Sequence, residues 1–154
     1  MADKIVVKWD DAYSVGVKLI DDQHKELVRM TNELSLGCRK GGSEAEIYFM
    51  KVIQGAVKYV KTHFTTEEII MDRLKYPEYL EHKKQHEEFV AEVLKDVKAF
   101  EAGGKLVPLE FAQFLQRWVL NHIAKSDKRW GNFFEELRQK GQLDETMFDV
   151  PTPK

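Results

Sequence analysis

The sequence predicts an all-α protein, an up-down-up-down antiparallel four-helix bundle with an N-terminal extended arm and a short C-terminal helix. Three observations lead to this prediction. Only four prolines and nine glycines interrupt the 154 residues, and they cluster at a few breaks. The long segments between the breaks carry apolar residues three and four positions apart, which is the period of a buried helix face. Short connections between long helices are typical of an antiparallel bundle.

The first element is not a helix. Its sequence IVVKWDDAYSVGV alternates like a strand, but the chain offers no second strand to pair with it. We therefore expect residues 1–20 to form an extended arm packed on the bundle. The first helix then begins near Asp21 or Asp22, either of which can act as its N-cap, and ends at Gly37.

The second helix opens at a capping box, in which the side chains of Ser43 and Glu46 satisfy free backbone amides at the helix start. It continues to about Lys75. Pro77 suits the first turn of a third helix, which runs to about Ala102.

The fourth helix begins at Pro108 by the same reasoning and ends near Trp130. Gly131 and Gly141 bracket a short tail helix. We expect one domain over residues 1–154, divided into the arm (1–20), the bundle (21–130) and the C-terminal helix and tail (131–154).

The second helix shows the packing pattern most clearly, because its inner positions alternate between spacings of three and four. Two polar residues, His63 and Glu67, interrupt this otherwise apolar face. The apolar members are Phe49, Ile53, Ala56, Val60, Ile70 and Leu74, and a second row of Met50, Val57, Phe64 and Met71 widens the buried stripe.

Composition excludes several classes of protein. The formal net charge is -2, and acidic and basic residues are mixed along the chain, so no basic patch indicates nucleic acid or a membrane surface. Cys38 is the single cysteine and cannot form an internal disulfide, which favours a reducing compartment. We find no signal peptide and no membrane span in the sequence. The expectation is a soluble cytoplasmic monomer, with room for an unidentified protein partner.

The polar residues on inner faces recur in all four helices. All five histidines and two carboxylates fall on faces that should be apolar, and burying them without partners costs on the order of several kcal/mol each. In an antiparallel bundle their positions place all of them at one end, where a shared cation removes that cost. The predicted metal ligands are His24, His63, Glu67, His82, His86, His122 and Asp127.

Seven ligands exceed what one zinc or one octahedral ion takes. Imidazole with carboxylate suits iron, and two octahedral ions offer about twelve positions. Five histidines, two bridging carboxylates and a bridging oxide or hydroxide leave about one position open. The sequence therefore predicts a di-iron centre with one open position for a ligand, although manganese is not excluded.

The spacing of the last two ligands is unusual, because Asp127 lies five positions after His122. Such a separation rotates the side chains by roughly 140° on a regular helix. Either the aspartate reaches sideways to bridge, or the helix contains a local π-bulge, which is frequent at functional sites. The sequence leaves both alternatives open.

Four segments, taken together, resemble the ligand pattern of the hemerythrin family: IDDQHKELV around His24, HFTTE (63–67), HKKQH (82–86) and HIAKSD (122–127). The segment WDDAYSVGVKLIDDQH resembles the bacterial branch, and the resemblance runs from about Trp9 to Trp130. It implies that one iron takes His82, His86 and His122, the other takes His24 and His63, and Glu67 and Asp127 bridge them. It further implies that dioxygen binds at the iron with two histidines, in a pocket lined by Leu27, Phe64, Trp118, Val119 and Ile123.

Three functions remain open from the sequence. Five neutral imidazoles favour reversible dioxygen binding, hence a carrier, storage or delivery protein and not an enzyme, since oxygen-activating ferritin-like sites use four carboxylates and two histidines. A second function is oxygen or redox sensing. A third is di-iron catalysis, such as a peroxidase, nitric-oxide scavenging or iron-sulfur repair, with Tyr59, Tyr79 or Cys38 as a redox group.

Overall fold

Four long helical stretches contain most of the residues that the computed structural model describes, which are 7–104 and 108–150. No strand occurs among them. The prediction of an all-helical protein is therefore confirmed for the described part of the chain. The helices are α1 (Lys18–Cys38), α2 (Gly42–Arg73), α3 (Tyr79–Glu101), α4 (Pro108–Asn121) and α5 (Lys128–Gln139), with a π-helical segment (His122–Asp127) joining the last two.

Helix α1 begins earlier than predicted, and neither aspartate caps it. The residue before it, Val17, has an extended backbone and gives no side-chain cap. The Asp21 carboxylate instead accepts hydrogen bonds from the Val15 amide at 2.8 Å and from the Ser14 hydroxyl at 2.5 Å. The preceding segment thus occupies the carboxylate that was predicted to cap the helix, and the cap prediction is wrong.

The starts of α2 and α3 also differ from the prediction. Helix α2 begins one residue before Ser43, and its N-cap is Gly41, which has no side chain to offer; the capping box is therefore wrong. Helix α3 begins at Tyr79 and not at Pro77, which lies in the preceding turn. On α2, Met50 is 41% exposed, so its predicted place in the buried stripe is wrong.

The last helical stretch passes through Gly131 without a break, contrary to the prediction of a separate tail helix. The main chain stays helical from Pro108 to Gln139. A Cβ at Gly131 would lie 3.0 Å from the Cα of Val15, because the segment before α1 crosses α5 at this point. Glycine here allows the two backbones to approach closely and does not end the helix.

Apolar clusters on either side position the predicted ligands along the helices. Helix α1 packs against α2 and α4, and α2 packs against α3. On α2, one cluster includes Phe49 and Ile53 and another includes Ile70 and Met71, so His63 and Glu67 lie on the stretch between them. On α1, His24 likewise lies between Ile20 and Leu27. Apolar side chains therefore flank the polar layer from both directions and exclude water.

The described helices include none that is both long enough and apolar enough to cross a lipid bilayer.

Candidate metal centre

All seven predicted ligands lie inside the protein. Each is at most 7% exposed, and the two carboxylates are fully buried. The prediction that every histidine of the chain points inward is therefore confirmed. Their nitrogen and oxygen atoms form two groups, each with all its atoms within 4.8 Å of one another, and Glu67 and Asp127 belong to both groups.

The first group contains three histidines from α3 and the π-helical segment. The Nε2 atom of His122 lies 3.0 Å from that of His86 and 3.2 Å from that of His82. Oδ1 of Asp127 lies 3.0 Å from the His82 nitrogen and 3.3 Å from the His122 nitrogen. Oε2 of Glu67 lies 3.3 Å from both the His82 and the His86 nitrogens. Three imidazoles and two carboxylates thus face one point.

The second group uses the other oxygen of each carboxylate. Oε1 of Glu67 lies 2.9 Å from Nε2 of His24 and 2.9 Å from Nε2 of His63. Oδ2 of Asp127 lies 3.1 Å from the His24 nitrogen. Each carboxylate therefore directs one oxygen to each group, which is the arrangement of a bridging ligand.

This donor set fits a pair of cations. Adjacent ligands of an octahedral ion with bonds of about 2.1 Å lie about 3 Å apart, close to the spacings of the His82, His86 and His122 nitrogens. Three imidazoles whose Nε2 atoms converge on one point can each give a lone pair to a single cation there. Imidazole and carboxylate oxygen are ligands that suit iron.

The π-helical segment brings the last two ligands to the same side. Its i to i+5 turn matches the separation of His122 and Asp127, whereas a regular α-helix would turn them apart. Of the two alternatives that the sequence left open, the structure has the π-bulge. Trp130, three residues after Asp127, donates its indole N–H to Oδ1 of Asp127 at 3.2 Å and is itself fully buried.

Two residues outside the ligand set contact the Nδ1 atoms of His63 and His86, on the side of each ring that faces away from the other ligands. The Nδ1 atom of His63 lies 2.7 Å from Oε1 of Gln23, and that of His86 lies 2.9 Å from Oε2 of Glu68. Sequence reasoning missed Gln23, Glu68 and Trp130. Only Trp130 carried a usable signal, because the i+3 spacing from Asp127 places it on the same helix face.

Without a metal, the carboxylates and imidazoles perturb one another strongly. Burial alone lowers the pKa of His24 and of His82, but hydrogen bonds to Asp127 and Glu67 outweigh it and raise these pKa values to about 9 and about 10. The pKa of His63 is lowered, chiefly by burial. Burial raises the pKa of Glu67 and Asp127, yet the surrounding imidazoles hold both pKa values well below their usual range.

These shifts predict a pH-dependent metal affinity. At neutral pH the metal-free His24 and His82 each carry a proton, and each must release it to offer Nε2 to a metal. Affinity should therefore rise with pH, by about tenfold per pH unit for each displaced proton, and level off above the raised pKa values. Cobalt(II) titrations of metal-free protein between pH 6 and 8, followed by absorbance, measure this slope. An affinity that does not change with pH would contradict the prediction.

The residues predicted to line the dioxygen pocket lie beside the two groups of ligand atoms. Leu27, Val119 and Ile123 belong to one buried apolar cluster, with Trp118 packed against it. Phe64 stacks on His86 with ring centroids 3.8 Å apart and meets Trp118 edge to face at 5.8 Å. An apolar cavity of about 30 Å³, lined in part by Leu27 and Val119, adjoins them.

The helical fold and the two buried groups of ligand atoms define a helix-bundle protein with a His/Glu/Asp cluster that could hold metal. Residues 15–133 match the hemerythrin HHE cation binding domain, so the chain belongs to the hemerythrin family. It is 32% identical to a bacteriohemerythrin of Stenotrophomonas maltophilia (strain R551-3) over 90% of this chain and 94% of that protein. It is 37% identical to a bacteriohemerythrin of Pseudomonas aeruginosa (strain LESB58) over 77% and 75%. A solved wild-type hemerythrin matches at a TM-score of 0.73 and 31% identity, over 82% of this chain and 96% of that one.

Proposed function

We propose that this chain binds dioxygen reversibly at a pair of non-heme iron ions and serves as an oxygen carrier, storage or delivery protein. One observation carries the proposal: two groups of buried ligand atoms share Glu67 and Asp127, each of which directs one oxygen to each group. A shared pair of carboxylates is suited to holding two ions close together.

The ligands are assigned by group. One iron would be held by His82, His86 and His122 and the other by His24 and His63, with Glu67 and Asp127 shared between them and an oxide or hydroxide completing the pair. The ion with fewer histidines would be the one that offers a position to dioxygen. When bound, the iron pair would supply the electrons for reversible dioxygen binding.

The protein's own side chains favour release over consumption of dioxygen. Cleavage of the O–O bond needs protons, and the residues proposed to line the pocket are an apolar set that withholds them and excludes water. Five neutral imidazoles with two carboxylates also stabilise high-valent iron less than the four-carboxylate sites of ferritin-like proteins. Neither property suits an enzyme. The proposed lining is Leu27, Phe64, Trp118, Val119 and Ile123.

We also infer an up-down-up-down, antiparallel order of the helices. Ligands early in α1 and α3 meet ligands late in α2 and in the π-helical segment that follows α4. We further propose a single domain over residues 1–154 that acts as a cytoplasmic monomer. The predicted arm ends at Val17, because residues 18–20 belong to α1, and its residues 1–6 lie outside the described part of the chain. Sedimentation of the purified chain tests the oligomeric state.

One experiment tests the function. The purified protein is assayed for metal, loaded with ferrous iron under anaerobic conditions and exposed to air while the visible spectrum and dissolved oxygen are followed. We expect two irons per chain, uptake of one dioxygen per pair, and recovery of the starting spectrum under vacuum. Continuous oxygen consumption with a reductant would instead indicate an enzyme, and rapid decay to an inert ferric state would indicate a sensor.

A further inference from the structure

We propose that Glu68 and Gln23 are positioning residues that make the two iron positions electronically unequal, Glu68 by a charged hydrogen bond to His86 and Gln23 by a neutral one to His63. This inference rests on the proposed function, because it concerns the two ions assigned there. It assigns roles to two side chains that lie outside the predicted ligand set.

The geometry fixes which nitrogen of each ring faces the metal position. The carboxylate of Glu68 and the amide oxygen of Gln23 both accept, so Nδ1 of each histidine is the donor, at 2.9 Å and 2.7 Å. In the neutral ring that binds a metal, Nε2 is then the unprotonated nitrogen, and it points inward. Nε2 of His86 lies 3.3 Å from Oε2 of Glu67, and Nε2 of His63 lies 2.9 Å from Oε1 of the same carboxylate.

Glu68 and Gln23 differ in charge, but both are largely shielded from solvent. The side chain of Glu68 is 18% exposed and Gln23 is 7% exposed, so neither hydrogen bond is open to free exchange with water. The His86 ring is also held flat against Phe64, with ring planes 3° apart. Because stacking holds the ring in place, a change of charge at Glu68 alters the electron density of the imidazole more than its position.

A charged acceptor and a neutral acceptor have different effects on a ligand. A carboxylate draws the Nδ1 proton toward itself and raises the electron density at Nε2, which makes the imidazole a stronger donor. An amide oxygen does so less. The position of His82, His86 and His122 therefore favours the ferric state more than the position of His24 and His63, where His24 has no Nδ1 partner among the described residues. The ferrous state is retained where dioxygen is proposed to bind.

Three variants separate charge from position. Glu68→Gln keeps an acceptor but loses the charge, Glu68→Ala loses both, and Gln23→Glu adds a charge at the other ion. The proteins are stripped of metal and titrated anaerobically with ferrous iron against a chromophoric chelator. The midpoint potential of the first one-electron oxidation is then measured with redox mediators.

We expect Glu68→Gln to weaken the binding of the ion at His82, His86 and His122 by about tenfold. The affinity of the other ion should not change, and the midpoint potential of the first oxidation should rise. Glu68→Ala should weaken the same ion by up to about 100-fold. Gln23→Glu should tighten the other ion. Glu87→Gln, an exposed neighbour of His86 on α3, is the matched control and should change neither quantity.

Two results would overturn the inference. One is a Glu68→Gln protein with wild-type affinities and potential, and the other is an equal loss at both ions, which indicates a general structural role. Both are distinct from failure of the proposed function, which would show in the wild-type protein as absence of an iron pair or of reversible dioxygen uptake.

Discussion

Replacing Glu67 with glutamine is expected to reduce the iron content from two per chain to below one. Each oxygen of this carboxylate approaches two imidazole nitrogens, at 2.9 Å on one side and 3.3 Å on the other. Glutamine keeps the volume but removes the negative charge that the two proposed ions would share. Loss of an outer partner alone costs about 10–100-fold in metal affinity, so loss of a bridging ligand should cost more than about 100-fold.

The measurement is elemental analysis after anaerobic loading with ferrous iron and removal of excess metal. Circular dichroism and a thermal melt of the metal-free protein show whether the variant still folds, since glutamine cannot replace a carboxylate among imidazoles at no cost. Glu46→Gln, an exposed change of the same kind on α2, should keep both irons. Two irons in the Glu67→Gln protein would refute a bridging role for this residue.

The proposed iron would also stabilise the fold and offset the cost of burying so many polar groups. A ligand that binds only the native state adds about 2.7 kcal/mol at a concentration 100 times its dissociation constant. We therefore expect the free energy of unfolding to rise with metal content, so variants are compared at matched loading.

The inward orientation of the histidines was predictable from sequence. The helical period shows which positions share the buried face, whatever residue occupies them. His63 and Glu67 occupy positions of the α2 face whose neighbours Ile53 and Ile70 are fully buried, and the structure buries both polar residues with them. The helix ends were less predictable. Asp21 and Ser43 are good capping residues, but one is used by the preceding segment and the other falls inside its helix.

The hydrogen bonds of Glu68 to His86 and of Gln23 to His63 could not be predicted from the sequence, for a different reason. Glu68 and Gln23 are ordinary polar residues beside predicted ligands, and their spacing carries no periodic signal. Each meets its histidine across a helix interface, where side-chain rotamers and the distance between axes decide the contact. Contacts of this kind follow only from the packed structure.

Insertion of one alanine after Ala124 is expected to abolish tight iron binding and to destabilise the protein. The π-turn already accommodates one residue more than a regular α-helical turn, and a second extra residue exceeds what it can hold. Asp127 and everything after it then rotate by about 100° relative to α4. Trp130 and Phe134, both fully buried in the native protein, would turn away from the core.

The size of the loss in stability follows from the two aromatic side chains that are displaced from the core. Truncating a buried aromatic residue costs about 3–5 kcal/mol, so displacing these two rings should lower the free energy of unfolding by at least several kcal/mol. Urea unfolding of the metal-free protein measures this loss, and elemental analysis measures iron. Lys125→Ala, an exposed change in the same turn that keeps its length, should leave both near wild type. If the insertion variant kept two irons and its stability, the helical register set by the π-turn would not be what places Asp127 at the centre.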